Sequence, residues 1–335
     1  MNRIAKKTLT IIGIVLASIV GIFLIIYATF AIVRATAYSE SNKLRRYVCT
    51  IPAIHSGYAP QGIGYSKEQD LYLLTGYDKS NISVLYLVKD DKATRVHLAD
   101  KDGNVLKGHA GGITCTKDYV YISNGSKLSI YKLSELMSAN GEKVNAVGVK
   151  YVDTNASYCF SDDNHIYVGE FYRAQNYKTD ERHYYTTPNG DEHKAIVSCY
   201  NLDENGAITD IYPEYAISVT GLVQGFAVHD GTYMLSRSYG LRDSDLEYYS
   251  EPKRDGDAVV EISFKGDKSI AAKTIPLYYL DSSNMIKSLR LPAFSEDLTV
   301  VGDRVVITNE SACNSYIVGK LFAADKVYSY PIFSA

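Results

Sequence analysis

Chemistry has few places to start in this chain. Near its C-terminal end Glu296 stands beside Asp297, and Glu310 follows closely. Neighbouring strand residues point to opposite faces, so Glu296 and Asp297 are not expected to share a site. Glu296 facing a channel with Glu310 or Glu170 near it could hold a hard cation such as Ca2+, helped by carbonyl and amide oxygens. The same carboxylates could instead act as acid and base in glycoside cleavage. His109 could serve as general base or metal ligand, because histidine titrates near neutrality. Bonded to backbone carbonyls, it would be structural. Gln61 and Gln224 occupy matching contexts and could donate to a ligand or tie neighbouring repeats together. No Gly-x-Ser-x-Gly, His-Glu-x-x-His, phosphate-binding loop or Gly-x-Gly-x-x-Gly occurs. The run DKDGN (100–104) has the look of a calcium loop. It lacks the downstream glutamate and reads as a turn.

A repeat must position these residues. Five stretches share one plan: PQGIGYSKEQDLYLLTGY (60–77), HAGGITCTKDYVYISNG (109–125), ASYCFSDDNHIYVGEFY (156–172), VQGFAVHDGTYMLSRSYG (223–240) and SEDLTVVGDRVVITNES (295–311). Each is an apolar strand, a turn rich in Asp, Gly or Lys, and a second alternating strand. Third strands follow several of them, as in SVLYLVKD, LSIYKL, AIVSCYNLD and AVVEISF. The turns at 203–206 and 265–268 supply residues that tolerate positive φ. Sustained helical periodicity is scarce beyond residue 47, apart from a turn or two at 134–139. Three or four antiparallel strands returning about every 45–70 residues predict an all-β fold, a β-propeller, whose small sheets bury their faces on one another. A β-sandwich gives no reason for one hairpin to return five times. The five openings predict five blades, with six as the alternative. RRYVCTIPA (45–53) is expected to add an outer strand to the last blade and close the ring.

The N-terminal segment is of another kind. Leu9 to Val33 is 25 residues without a charge, and about 20 suffice to cross a bilayer as a helix. Arg3, Lys6 and Lys7 precede it, which favours a cytoplasmic N-terminus, although Arg34, Lys43, Arg45 and Arg46 follow. The expected layout is a cytoplasmic segment (1–8), a transmembrane signal anchor (9–33), a polar stalk (34–47) and a propeller (48–335). The protein would be single-pass in the cell membrane with its C-terminal domain extracytoplasmic. Cleavage after Ala37 is the alternative, but signal h-regions run only about 7–15 residues. Residues 48–335 hold 28 Lys/Arg against 37 Asp/Glu, a net of −9. Such a domain repels phosphate backbones, so nucleic acid is not expected as a partner. Thirty Tyr against nine Phe and no Trp suits half-buried strands and wet binding surfaces. The five cysteines lack metal-like spacing and read as buried thiols, with one disulfide of undetermined partners as the alternative.

The Gln-Gly-Ile, Gly-Gly-Ile, Gln-Gly-Phe and Glu-Asp-Leu openings, each followed by an aspartate-bearing turn, resemble repeats of secreted bacterial β-propeller proteins. Over about residues 48–335 they are loosely similar to NHL-repeat, gluconolactonase-like and strictosidine-synthase-like propellers. The resemblance implies that loops before each first strand and after each second strand converge at one mouth of a central channel. It places Gln61, His109, Tyr158, Gln224, Glu296 and Asp297 there from the first strands. From the second strands it places Thr75, Tyr77, Asp78, Glu170, Tyr172, Arg173, Arg237, Tyr239, Asn309 and Glu310. The long stretches 171–193 and 237–257, crowded with Tyr, Arg and acids, are expected to rise on that face. Gluconolactonase-like propellers imply a central divalent ion, for which Glu296, Asn309 and Glu310 are the candidates by position. The other openings carry Gln, His and Tyr where such a site needs Asn and Asp.

The expected role is binding of a small polar ligand or glycan at the mouth. Its residues would be Gln61, Tyr77, His109, Glu170, Tyr172, Gln224, Arg237, Tyr239, Glu296 and Glu310. One alternative is an extracytoplasmic hydrolase, lactonase- or glycosidase-like, using Glu296, Glu310 and His109 or a divalent metal. Another is a platform for a second extracellular protein.

Overall fold

The five openings become the inner hairpins of five antiparallel sheets in the computed structural model, which describes residues 3–334. The innermost strands are Ala59–Ser66, Gly112–Cys115, residues 156–161 of the long strand Gly148–Ser161, Val223–His229 and Ser295–Val301. Each packs on the next around a circle, and the fifth packs on the first. The described residues therefore form a five-bladed β-propeller, and among them the ring closes without a sixth sheet.

Blade 1 continues outward through Leu71–Tyr77, Ser83–Lys89 and Lys92–Ala99. Blade 2 uses Tyr119–Ser123, Gly125–Lys132 and the start of Gly148–Ser161. That long strand pairs Lys150 with Leu128 in blade 2 and Cys159 with Val168 in blade 3, so one strand serves two blades. Blade 3 adds His165–Glu170, Ala195–Asn201 and Tyr215–Val219, and takes the hairpin Val259–Ile262/Lys273–Tyr279 on its edge by parallel pairing. Blade 4 adds Thr232–Arg237, Ser244–Tyr249 and Met285–Leu291. Blade 5 adds Arg304–Asn309, Lys326–Pro331 and, from the N-terminal side, Arg46–Thr50. Tyr47 lies opposite Tyr328 in that last pairing, which locks the two ends of the ring together.

Apolar alternation fills the seams. Leu73, Leu85 and Val96 of blade 1 meet Ile113, Val120 and Ile122 of blade 2, all essentially without solvent contact. The openings contain glycine because five inner strands crowd one axis. A Cβ on Gly112 would sit 2.4 Å from the Cα of Tyr158, and one on Gly225 would sit 2.8 Å from the Cα of Asp297. All five cysteines are free thiols, four of them buried.

Two expectations need correction. Residues 34–47 are not a polar stalk. The N-terminal helix, Arg3–Ala37, is long and apolar enough to cross a membrane and runs past residue 33. Tyr38 is then buried, and a short helix, Ser39–Leu44, lies against the outer strands of blades 4 and 5. Hydrogen bonds to backbone and apolar packing hold this segment better than solvent would. The stretch 237–257 is also not one insertion, because Ser244–Tyr249 is the third strand of blade 4. Only the turn 238–243 reaches the mouth from it.

Candidate functional site

The residue before the glycine position of each opening forms the floor of a cavity of about 500 Å³ at one end of the channel: Gln61, Gly111, Ser157, Gln224 and Glu296. Beneath them Asp297 closes the axis. Its Oδ2 accepts hydrogen bonds from the backbone N–H of Ile63 at 3.3 Å and of Ile113 at 3.4 Å, tying blade 5 to blades 1 and 2. Burial holds the Asp297 carboxyl well above the usual range, against those donors. Simple alternation fails here because the register slips between Ser295 and Leu298. Glu296 and Asp297 both stay buried at the channel, one lining the cavity and one below it.

The walls are aromatic. Tyr77 stacks on His109 with centroids 4.7 Å apart, Phe171 meets Tyr177 edge-on at 5.4 Å, and Phe294 packs on Tyr316 at 4.6 Å. Tyr239 completes the lining, with the Arg173 guanidinium lying 4.0 Å from its ring centre. Burial pushes the His109 imidazole down, which favours its neutral form. Among the described residues no Lys or Arg lines the cavity.

Its one acidic feature is a pair. Glu310 accepts from Gln61 Nε2 at 2.8 Å, and Glu296 and Tyr316 line the cavity with it. Burial raises both carboxyls, and the neighbouring Glu310 charge raises Glu296 further. Two carboxyls that meet out of water do not both ionise readily, so the pair favours holding a proton.

Seven of the ten expected ligand residues share this cavity: Gln61, Tyr77, His109, Gln224, Tyr239, Glu296 and Glu310. The other three are engaged elsewhere. Glu170 is buried and accepts from His183 Nδ1 at 2.7 Å, while His183 Nε2 lies 3.4 Å from Asp153. Burial opposes the imidazolium, but the two carboxylates outweigh it and hold His183 at about 9. The triad pins the 171–193 insertion to blade 3. Tyr172 turns its ring edge-on to Tyr184. Arg237 reaches into blade 4, where Nη1 meets Glu247 at 2.5 Å and Tyr249 holds the other carboxylate oxygen.

The three candidate metal ligands do not form an oxygen cage. The Asn309 amide donates to the Ala293 carbonyl at 2.9 Å, and its oxygen accepts from the Ser311 N–H at 2.8 Å. Glu310 already accepts from Gln61. Among the described residues no group of three or more His, Cys, Asp or Glu is arranged to hold a metal ion. These side chains therefore do not fit a divalent cation as they stand.

Phe294, Tyr316 and Asn124 line the cavity without having been singled out from sequence. Asn124 follows the second strand of blade 2 as Tyr239 follows that of blade 4, so its position was legible. Phe294 and Tyr316 carry no such signal, because one precedes its strand and the other lies in an irregular loop.

No known protein family matches the chain in sequence, and no curated protein does. In structure it is similar to an exo-β-1,3-galactanase from Phanerochaete chrysosporium, solved with galactose (TM-score 0.43, 11% identity, 85% of this chain and 64% of that one). It is also similar to the GH43_1 enzyme from Xanthomonas citri (TM-score 0.41, 10% identity, 86% and 91%). A third is the WD40 β-propeller domain of Doa1 (TM-score 0.37, 10% identity, 85% and 96%).

Proposed function

We propose that this protein is anchored in the membrane by its N-terminal helix and uses its extracytoplasmic propeller to bind a small, uncharged polar ligand, a sugar or glycan end, in the mouth cavity. The observation that carries this reading is the make-up of the lining. Aromatic faces from Tyr77, Tyr239 and Tyr316 stand over a floor of amides and carboxyls, with no cation among the described lining residues. Sugar rings offer apolar faces to such aromatics and hydroxyls to such a floor. An anion would meet Glu310 with nothing to neutralise it.

The hydrolase alternative rests on Glu296, Glu310 and His109, all of which line the cavity. Glycoside cleavage needs its two carboxyls about 5–9.5 Å apart, to flank the bond or admit a water. Here burial, and for Glu296 the neighbouring Glu310 charge, keep both carboxyls raised, which suits holding a hydroxyl as well as protonating a leaving group.

Calorimetry on the full chain in detergent, with neutral, anionic and cationic mono- and disaccharides, tests the proposal. Binding confined to neutral sugars and lost in Gln224→Ala is the expected result. Preference for anionic sugars, or no binding by any of them, would remove it.

A further inference from the structure

The N-terminal helix does not leave the propeller on a free tether. Phe30, inside the uncharged stretch, packs edge-on against Phe322 at 5.6 Å. Arg34 donates to the Leu321 carbonyl, and the Tyr38 hydroxyl reaches Asp243 at 2.5 Å. Both receiving loops follow the second strand of their blades, so they belong to the mouth. The same two loops line the cavity, through Tyr316 in blade 5 and Tyr239 in blade 4. Tyr316 also packs on the cluster of Tyr38, Phe294 and Phe322 that receives Phe30 and Ala37. Helix end and cavity mouth therefore sit side by side on one face of the ring.

Depth follows from helix geometry. At 1.5 Å per residue, Phe30 lies only about 4.5 Å before the end of the apolar stretch at Val33. The loop that touches Phe30 must then reach the level of the lipid headgroups. That loop presents Ile317, 82% exposed, and Val318, 49% exposed; the blade 4 loop presents Leu241, 54% exposed. Lys320 and Arg242 stand beside them, also exposed, on a domain whose overall charge is negative. Bulky apolar tips flanked by cations are the composition of a surface that lies in a bilayer interface.

We infer that the mouth-bearing face of the propeller rests on the outer surface of the bilayer, with Ile317, Val318 and Leu241 seated among the headgroups. The cavity then opens at the membrane–water boundary and draws its ligand from there. This inference rests on the reading of the N-terminal helix as a membrane anchor, and the test separates the two.

The chain has no tryptophan, so single replacements report alone. Full-length Ile317→Trp, Phe23→Trp and Val259→Trp would be reconstituted into phosphatidylcholine vesicles without bromine, with bromine on the acyl chains near the headgroup, and with bromine near the chain ends, which reaches the depth of Phe23. Phe23 reports the helix, and Val259, exposed on the edge hairpin of blade 3, reports a part of the ring away from the mouth. Ile317→Trp is expected to lose about half its emission in vesicles brominated near the headgroup, as a group buried about 5–10 Å into the interface would, while Val259→Trp stays bright. Ile317→Trp as bright as Val259→Trp, with Phe23→Trp quenched, would overturn the inference and leave the anchor standing. An unquenched Phe23→Trp would remove the anchor and the inference together. Because Ile317 is so exposed, its replacement leaves the fold intact, and an unchanged melting temperature checks this.

Discussion

Gln61 Nε2 lies 2.8 Å from Glu310 Oε2, across the seam where the first blade meets the last. The ring is thus joined by strand pairing at its outer edge and, at its axis, by this bond together with that of the Ile63 N–H to Asp297. The amide that reads from sequence as a ligand donor serves first to orient Glu310. Its partner forms with Glu296 the pair that favours holding a proton. The floor of the cavity and the closure of the fold are consequently one structure.

That arrangement predicts a pH dependence. The Glu310 carboxyl is raised from 4.5 to about 7 by burial, opposed by its donors. A raised acid pKa means that the folded state holds a proton the unfolded chain has released, so stability falls as pH climbs through this window. The slope is at most about 1.4 kcal/mol per pH unit for one proton. Wild type is expected to melt lower at pH 7.5 than at pH 5, and Glu310→Gln to show a flatter profile. Identical slopes in the two proteins would show that the pair does not share a proton.

His183 gives the opposite end of the scale. Its imidazole is raised from 6.5 to about 9 by Asp153 and Glu170 in spite of burial. For a raised base the stabilisation is complete below 6.5 and fades as pH rises through 9. Removing one partner of a buried ionic cluster costs about 3–5 kcal/mol. His183→Gln is expected to lose about that much at pH 6 by urea titration, and to lose the alkaline part of the profile. Equal stability of the two proteins at pH 6 would mean that the cluster is not ionised.

Much of this could be read in advance, and the exceptions have physical causes. The hairpin openings gave the blades because alternation and turn chemistry are local. The Gln-Gly openings were legible as matching positions, and the structure shows why glycine stands there: a Cβ on Gly62 or Gly225 would collide with the neighbouring inner strand. Arg237 and Glu170 looked like mouth residues by position, yet each found a buried counter-charge on its own blade, Glu247 or His183. Such partners lie 10 and 13 residues away across loops whose path local pattern does not specify. The bulge at Ser295 to Leu298 is equally silent in sequence, and it decides where Glu296 and Asp297 point.

The engaged state of Asn309 and Glu310 carries its own test. A metal held only by the native state must raise the melting temperature by mass action. EDTA and then millimolar calcium are expected to leave the melting temperature of the full chain unchanged. A drop with EDTA that calcium reverses, and that Glu296→Gln abolishes, would show that these side chains rearrange around an ion.

Two tyrosines separate the cavity from its surroundings. Tyr77 and Tyr172 hold equivalent places after the second strands of blades 1 and 3, and sequence assigns both to the mouth. Tyr77 lines the cavity and stacks on His109, whereas Tyr172 packs against Tyr184 with the Lys194 ammonium 5.8 Å from its ring centre. Loss of an aromatic stacking face costs a ligand about 1.4 kcal/mol, close to tenfold in affinity. Tyr77→Ala should therefore weaken the binding of a neutral disaccharide about tenfold, and Tyr172→Ala should leave it unchanged while lowering the melting temperature. If both replacements weaken binding alike, the ligand extends over the 171–193 insertion, and the recognition surface is the whole face rather than the channel mouth.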